Sequence, residues 1–350
     1  MFRYYTRVCN FYYGNQSKKL VKQNKTIPLH QMDEISFDQV EIITRNSKKK
    51  ISINKVKNLH TSLKDKVSFD LKKIRSRKKN FSNLNLKKIP NILGVLNLTP
   101  DSFSDGGKFN SIKRGVNQAV SLFNSGANLI DIGGESTRPG SKPVQEKQEW
   151  RRVGKILKLL SKRLPISLDT RKSIIMERGI KLGVKLINDV SGLSFDKKTL
   201  YILKKYKIPF VIQHTQGDPE YMQKKPKYKN ELLDIYDFFE EKIKLLRSIG
   251  IKHNNIIIDP GIGFGKNLKH NMNIIKNISI FHSLGFPILV GNSRKKFIME
   301  LAKINDSKSR VGGTIASSIY LMMQGVQILR IHDVNETIQA LKIFKKIISN

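Results

Sequence analysis

The chain of 350 residues is poor in cysteine and has no long apolar segment. Its single cysteine, Cys9, excludes internal disulfide bonds and metal centres built from several cysteines, and it is typical of a reducing compartment. No stretch approaches the roughly 20 uninterrupted apolar residues that cross a bilayer. No apolar segment follows the first Met either, which argues against secretion. We therefore predict a cytoplasmic protein, with an organellar presequence as the alternative, since cations but no acidic residues precede Asp33.

Acidic residues are also scarce: 28 Asp and Glu stand against 65 Lys and Arg, and the formal net charge is +37. Such an excess is typical of proteins that bind nucleic acid, a membrane surface or an acidic substrate. A second explanation is the abundance of Lys, Asn and Ile together, which AT-rich genomes favour wherever the fold is indifferent. We attribute most of the excess to this bias and expect neither a membrane nor a nucleic-acid partner. A phosphorylated small-molecule substrate requires only a few well-placed cations.

The first part of the chain differs in composition from the rest, because residues 1–90 hold 22 basic and 6 acidic side chains. We interpret residues 1–88 as an irregular, polar and basic N-terminal extension of unknown role, followed by one domain over residues 89–350. Partial alternation on either side of Asn46 and Ser47 predicts a small β-hairpin within the extension. The basic run at residues 72–79 favours a solvated linker over a nucleic-acid contact.

From Pro90 onward, short apolar runs alternate with segments of helical periodicity. Buried parallel strands and helices with one apolar face produce these two patterns. The apolar runs are residues 92–96, 128–132, 165–168, 184–187, 209–212, 255–258, 287–290 and 326–331. Eight strand–helix units in about 260 residues are typical of a (β/α)8 TIM barrel, an α/β fold. A doubly wound open sheet is the alternative, and we favour the barrel because eight strands can close.

Polar residues follow each apolar run, at the barrel end where TIM-barrel active sites lie. Asp169 and Asp259 come directly after apolar runs, and Asn188 shares that position. A buried carboxylate without a partner is costly, so these residues predict a ligand with several hydrogen-bond donors. Cations lie at the ends of the second, seventh and eighth strands, at Arg138, Lys295, Arg330 and His332. Arg330 and His332, two apart on one strand, point to the same side and can hold a diphosphate together.

Some of the polar residues at these strand ends have a purely structural explanation. Asp333 and Glu336 match a capping box, so we expect Asp333 to cap a helix. His214 is expected to pack inside the protein, and Glu135 to form a salt bridge beneath the rim. Residues 261–266 lack the full spacing of a nucleotide-binding loop, and we expect a tight turn that projects Phe264 over a planar substrate.

Two long segments, ILGVLNLTPDSFSDGG at 92–107 and GANLIDIGGESTRPG at 126–140, resemble the signature segments of the dihydropteroate synthase family. The resemblance covers roughly residues 90–350 and leaves out residues 1–88. It continues through SLDT at 167–170, IND at 187–189, IDPGIGFGK at 258–266, GNSRK at 291–295 and RIHDV at 330–334.

The resemblance implies a (β/α)8 barrel, usually a homodimer, that acts as a transferase in folate biosynthesis. It joins p-aminobenzoate to dihydropterin-6-ylmethyl diphosphate and gives dihydropteroate and diphosphate. Diphosphate is expected to leave first, assisted by Mg²⁺, so that a cationic pterin methylene group forms before the arylamine attacks.

At the matching positions the resemblance implies four sets of site residues. The pterin would contact Asp169, Asn188, Asp259 and Lys295. The diphosphate would contact Thr137, Lys295, Arg330 and His332, and its Mg²⁺ would be ligated by Asn97. The p-aminobenzoate pocket would be formed by Phe103, Arg138, Pro139 and Phe264. The catalytic residues would be Asp169, Lys295, Arg330 and His332.

The chain departs from the family pattern at Gln213, where Met is frequent, and at Lys296, where Ser is frequent. One alternative is a related pterin-binding barrel that transfers a methyl group from methyltetrahydrofolate, which needs no diphosphate site. A nucleic-acid-binding protein with residues 1–88 as its arm, and a catalytically inactive paralogue, are the others.

Overall fold

The N-terminal part of the protein is an ordered α/β unit rather than an irregular extension. The computed structural model describes residues 3–99, 108–136, 140–217, 220–223 and 226–349. The first sheet has four antiparallel strands: β1 (Tyr5–Tyr13), β2 (Ile27–Leu29), β3 (Met32–Ile43) and β4 (Lys48–Ser52). Two helices, α1 (Gly14–Lys22) and α2 (Thr61–Arg75), accompany it. We refer to residues 3–75 as the N-terminal module.

The module has its own apolar core, so the expectation of an irregular, polar segment is wrong. Val8 and Phe37 on the sheet pack with Val67 and Ile74 of α2, and all four are fully buried. The lysine-rich composition hides this core, because the lysines occupy exposed positions between the apolar ones. The hairpin expected around Asn46 and Ser47 is present: β3 pairs with β4.

The module packs against the second part of the chain. The Ser279 hydroxyl donates to the carbonyl of Val8 at 2.8 Å, and the Tyr13 hydroxyl donates to the carbonyl of Met323 at 2.8 Å. The rings of Tyr5 and Tyr236 meet edge to face, with centroids 5.2 Å apart. Both rings are fully buried, so Tyr5 of the module is part of the apolar core of the barrel.

The second sheet consists of eight parallel strands in the order β10-β9-β8-β7-β6-β5-β12-β11. They are β5 (Asn91–Asn97), β6 (Leu129–Gly133), β7 (Ile166–Asp169), β8 (Leu186–Asp189), β9 (Phe210–Gln213), β10 (Ile256–Asp259), β11 (Leu289–Val290) and β12 (Ile328–Ile331). A single parallel bridge between Ile258 and Ile288 joins β10 to the residue before β11. The predicted TIM barrel is therefore confirmed, and the open doubly wound sheet is wrong.

Helices alternate with these strands and cover the barrel. They are α3 (Lys108–Asn124), α4 (Glu146–Leu160), α5 (Ser173–Lys181), α6 (Thr199–Tyr206), α7 (Glu231–Ser248), α8 (Leu268–Lys276), α9 (Lys296–Ala302), α10 (Val311–Met323) and α11 (Val334–Ser349). Each helix that follows a strand packs an apolar stripe against it, as Val153, Leu157 and Leu160 of α4 do. Among the described residues, no helix is long and apolar enough to span a membrane.

The interior of the barrel has an apolar floor and a polar layer above it. The floor includes Leu129, Leu186, Ile257 and Ile328, together with Leu84 from the segment before β5. Side chains two residues apart on a strand point to the same side. The residues two positions after the four strand residues therefore point into the barrel as well. They are polar side chains of the candidate site: Asp131, Asn188, Asp259 and Arg330.

Candidate active site

Asp131, on β6, lies at the centre of the polar layer and is fully buried. Its Oδ2 accepts hydrogen bonds from Arg330 Nε at 2.6 Å and from Asn188 Nδ2 at 3.1 Å. Its Oδ1 accepts a hydrogen bond from the Ser167 hydroxyl at 2.5 Å. Ser167 is its register partner on β7, so strand pairing brings this donor into place. The carboxylate of Asp131 on β6 thus binds side chains from three other strands, β7, β8 and β12.

Asp169, at the end of β7, is the second carboxylate that holds Arg330. Its Oδ2 accepts a hydrogen bond from Arg330 Nη2 at 2.7 Å. Burial raises the pKa of Asp169 to about 7, with the positive charge of Arg330 opposing the shift and the negative charge of Asp131 adding to it. Burial acts to lower the pKa of Arg330, but the two carboxylates outweigh it and the pKa is raised.

Asp259 is buried and Lys295 is half-buried, and their opposite charges interact. Burial raises the pKa of Asp259 to about 6, although the Gly261 N–H donates to its Oδ1 at 2.7 Å and Lys295 opposes the shift. Burial lowers the pKa of Lys295 to about 8, and the charge of Arg330 contributes to this shift. The Lys295 ammonium lies 4.3 Å from the centroid of the Phe264 ring, in a cation–π contact.

His332 follows β12 and is held by Ser293. The Ser293 hydroxyl oxygen accepts a hydrogen bond from the His332 backbone N–H at 3.2 Å and lies 3.0 Å from Nδ1 of the ring. When the hydroxyl proton is donated to Nδ1, the imidazole carries its own proton on Nε2. Nε2–H is then a donor for an anionic ligand.

A cavity of about 720 Å³ opens above these groups at the carboxyl ends of the strands. Its lining includes Lys295, Arg330 and His332 on one side, with Asn97 and Phe264. Asp131 and Asp169 belong to the buried polar layer and both accept hydrogen bonds from Arg330. The cavity therefore has a cationic wall whose guanidinium is held by buried carboxylates. Such a site can hold an anionic group and a planar, donor-rich group next to each other.

The sequence of the barrel matches one known family over most of its length. Residues 93–332, which run from within β5 to just beyond β12, match the family of pterin binding enzymes. The chain belongs to this family. Its curated relatives and structural neighbours bear the name dihydropteroate synthase, so this member of the pterin-binding family is an enzyme and a transferase.

Three of these relatives of the pterin-binding family illustrate the similarity. Dihydropteroate synthase of Escherichia coli K12 is 38% identical over 262 residues, which are 74% of this chain and 92% of the relative. The solved structure of Yersinia pestis dihydropteroate synthase with a sulfonamide drug has a TM-score of 0.72 and 39% identity, and the match covers 76% of this chain and 97% of that one. Xanthomonas albilineans dihydropteroate synthase in complex with 7,8-dihydropteroate has a TM-score of 0.68 and 32% identity, and the match covers 75% and 95%.

Several site residues predicted from the family pattern converge on the cavity or the layer beneath it. These are Asn97, Asp169, Asn188, Asp259, Phe264, Lys295, Arg330 and His332. Four other predicted residues, Phe103, Thr137, Arg138 and Pro139, lie outside the described residues. Sequence reasoning missed Asp131, although its position two residues after Leu129 gives it the same inward direction.

The structure also tests the purely structural roles that were expected for three polar residues near the strand ends. Glu135 pairs with Arg171 at 3.0 Å, as expected. His214 is buried against the Phe238 ring, also as expected. The carboxylate of Asp333, by contrast, accepts hydrogen bonds from Arg294 Nε at 2.9 Å and from Nη2. It is an ion-pair partner for the loop after β11 rather than the expected capping-box residue.

Proposed function

We propose that this enzyme joins dihydropterin-6-ylmethyl diphosphate to p-aminobenzoate and releases diphosphate. The observation that carries the proposal is the contact between opposite charges: Arg330 lines the cavity while its guanidinium is hydrogen-bonded to the buried acids Asp131 and Asp169. A substrate with an uncharged, donor-rich ring at one end and an anion at the other matches this order of charges. The solved neighbour with bound 7,8-dihydropteroate supports the same product.

The pterin end is proposed to lie on the buried acids. Asn188 supports this, because its Oδ1 is buried and has no hydrogen-bond partner among the described residues. Leaving a buried acceptor unpaired costs about 1–3 kcal/mol, and a ring N–H or amino group of the pterin would satisfy it. Asp169 and Asp259 are buried as well, and each has a second carboxylate oxygen besides the one that accepts from Arg330 or from the Gly261 N–H.

The diphosphate end is proposed to lie against Lys295, Arg330 and His332. When the bond between the pterin methylene carbon and the diphosphate oxygen breaks, the electron pair leaves with the oxygen. Fixed cations stabilise the charge that develops on that oxygen. The positive charge that remains on the methylene group is stabilised by the ionised form of Asp169. The arylamine nitrogen then forms the new C–N bond and loses a proton, which requires placement more than activation.

A Mg²⁺ ion bound to the diphosphate fits the residues that line the cavity. Mg²⁺ prefers oxygen ligands and is usually held by one or two protein groups together with substrate phosphates and water. Asn97, half-buried at the end of β5, supplies one carboxamide oxygen at this position. No group of three or more His, Cys, Asp or Glu side chains suited to a metal occurs among the described residues, so the diphosphate would provide the other ligands. When bound, the ion neutralises charge on the leaving group.

The p-aminobenzoate ring is proposed to pack against Phe264, beside Lys295. Of the two departures from the family pattern, Lys296 lines the cavity and Gln213 does not. Gln213 is buried and its amide donates to the Val190 carbonyl at 3.4 Å. Lys296 is largely exposed on the cavity rim and pairs with Glu300 at 3.2 Å, so its ammonium can also reach a substrate carboxylate.

A homodimer is proposed as well. An apolar groove of about 920 Å³ lies along α8, α9 and α10. Met272, Leu301 and Tyr320 contribute to it and are each at least one-third exposed in the single chain. Apolar surface of this kind is typical of an interface, and a second copy of the chain would cover it. The cytoplasmic location stays a prediction.

Incubation of the purified enzyme with p-aminobenzoate, dihydropterin diphosphate and Mg²⁺, with detection of dihydropteroate, tests the proposal. Asp169→Asn should reduce turnover far more than Asp333→Asn, because Asp169 accepts a hydrogen bond from Arg330 whereas Asp333 pairs with Arg294. Equal losses in the two variants would contradict the assigned site. Methyl transfer from methyltetrahydrofolate without dihydropteroate formation would favour the alternative reaction.

A further inference from the structure

The turn between β3 and β4 reaches the barrel at the start of α7. Arg45, in that turn, donates from Nη1 to Asp234 Oδ1 and from Nη2 to Asp237 Oδ2, each at 2.8 Å. The two acids are three residues apart and therefore lie on the same face of the helix. The guanidinium thus joins the first and second turns of α7 to the N-terminal module.

The two carboxylate oxygens of Asp234 accept hydrogen bonds from different parts of the protein, one from the module and one from the backbone that leads into α7. While Oδ1 accepts from Arg45, Oδ2 accepts from the backbone N–H groups of Lys229 at 3.0 Å and Asn230 at 3.2 Å. Asn230 is also the N-cap of α7, since its side chain accepts from the Leu233 N–H at 3.2 Å. The orientation of one carboxylate therefore fixes the backbone that enters the helix.

The residue just before this backbone is bonded to the loop after β10. The Tyr228 hydroxyl donates to the Gly265 carbonyl at 2.8 Å. Gly265 has a φ of +59°, and a Cβ there would lie 2.5 Å from the Gln216 carbonyl oxygen, so the loops after β9 and β10 are in tight contact. Gln216 Nε2 donates to the Lys227 carbonyl at 2.7 Å, and Gln216 Oε1 accepts from the Lys227 N–H at 2.9 Å.

Gly265 lies between two residues that line the cavity, Phe264 and Lys266. The buried Lys266 ammonium donates to the Phe264 carbonyl at 2.8 Å and to the His214 carbonyl at 3.3 Å. The Gly265 peptide is thus joined to Phe264 by the chain itself and, through Lys266, by a hydrogen bond to the Phe264 carbonyl. Consecutive hydrogen bonds and peptide links thus run from Arg45 through Asp234 and Tyr228 to this ring.

We propose that Arg45 is a positioning residue through which the N-terminal module sets the place of Phe264 and hence the affinity for p-aminobenzoate. The proposal rests on the proposed function for the substrate that packs on Phe264. Residues 3–75 would then contribute to substrate binding in the barrel.

Arg3 provides the matched control for Arg45. It also belongs to the module and pairs with α7, through Asp237 at 3.0 Å and through Glu240. Neither of these acids binds the backbone before α7, so Arg3 contributes to docking without reaching Asp234. The side chains of Arg3 and Arg45 are 49% and 42% exposed, which makes their general contributions to stability comparable.

The experiment compares steady-state kinetics of Arg45→Gln, Arg45→Lys, Asp234→Asn and Arg3→Gln in the full chain. Arg45→Gln should raise KM for p-aminobenzoate about three- to fivefold, the range of a half-exposed ion pair. Both kcat and KM for the pterin diphosphate should stay within about twofold. Arg45→Lys should restore part of the loss, and Arg3→Gln should leave all three constants near those of the parent enzyme.

A second set of variants tests the connection itself. Tyr228→Phe removes the bond to Gly265 and should raise KM for p-aminobenzoate to the same extent as Arg45→Gln. The double variant should then be no worse than either single one. Equal kinetics of Arg45→Gln and Arg3→Gln, or additive effects in the double variant, would overturn the inference while leaving the proposed function intact. A parent enzyme that forms no dihydropteroate would instead overturn the proposed function.

Discussion

Asp131→Asn is the sharpest test of how the site is built, because the substitution keeps the shape of the side chain and removes its charge. The carboxylate of Asp131 accepts from Arg330, Asn188 and Ser167. An asparagine has one acceptor oxygen, and its NH₂ group would face one of these donors. Arg330 would retain Asp169 as its hydrogen-bonded counter-ion.

The expected magnitude follows from the burial of the pair. Removing one partner of a buried ion pair costs about 3–5 kcal/mol. Because Asp169 still pairs with Arg330, we expect the lower end, about 3 kcal/mol of unfolding free energy. A displacement of about 1 Å in a charge-stabilising group can reduce turnover about 100-fold, and we expect a loss of this order in kcat/KM.

The pH dependence gives an independent readout. The charge of Asp131 helps to raise the pKa of Asp169, so its removal should lower that pKa. If ionised Asp169 is required, the acidic limb of kcat/KM should move to lower pH in Asp131→Asn. Asp333→Asn, at another buried carboxylate of the same barrel end, is the control. An unmoved acidic limb, or equal losses of activity in both variants, would refute the reasoning.

Three further predictions concern pH and assembly. In the parent enzyme kcat/KM should fall below about pH 7 as Asp169 takes up a proton and above about pH 8 as Lys295 loses one, and a flat profile across this range would contradict the assigned charges. Burial lowers the pKa of His30 and brings that of His282 to about 4, so the contribution of these two rings to the free energy of unfolding should be complete above about pH 6.5 and fall below it by about 1.4 kcal/mol per pH unit for each ring. Urea unfolding at two pH values measures this, and His282→Gln should reduce the slope. Leu301→Glu should convert the proposed dimer to monomers in sedimentation experiments, and an unchanged mass would exclude the groove as the interface.

The barrel could be predicted from the sequence because each of its strands is a short apolar run that ends in polar residues. This pattern survives any bias in composition, since the strands are buried on both sides. The positions of Asp169, Asn188 and Asp259 follow from the same pattern. Asp131 did not stand out because Ile132 follows it within the run, although its alternation with Leu129 points it inward.

The fold of the N-terminal module could not be predicted from the sequence, because its exposed polar residues mask the apolar pattern. Its core residues are separated by lysines and asparagines, and β1 carries apolar and polar residues in an irregular order. Contacts such as that of Arg45 with Asp234, 189 residues apart, have no signature in a single sequence. Asp333 shows the reverse case, because a local motif predicted a helix cap while a distant arginine took its carboxylate.

The join between β10 and β11 consists of a single β-bridge, and this affects how the protein unfolds. β11 is only two residues long, and the segment just before it, Ile278–Leu284, is the part of the barrel on which Val8 of the module rests. The module therefore packs on the segment that leads into this single-bridge join. We expect the module and the join to open together, so amide protons along the join should exchange at the same rate as those of β1.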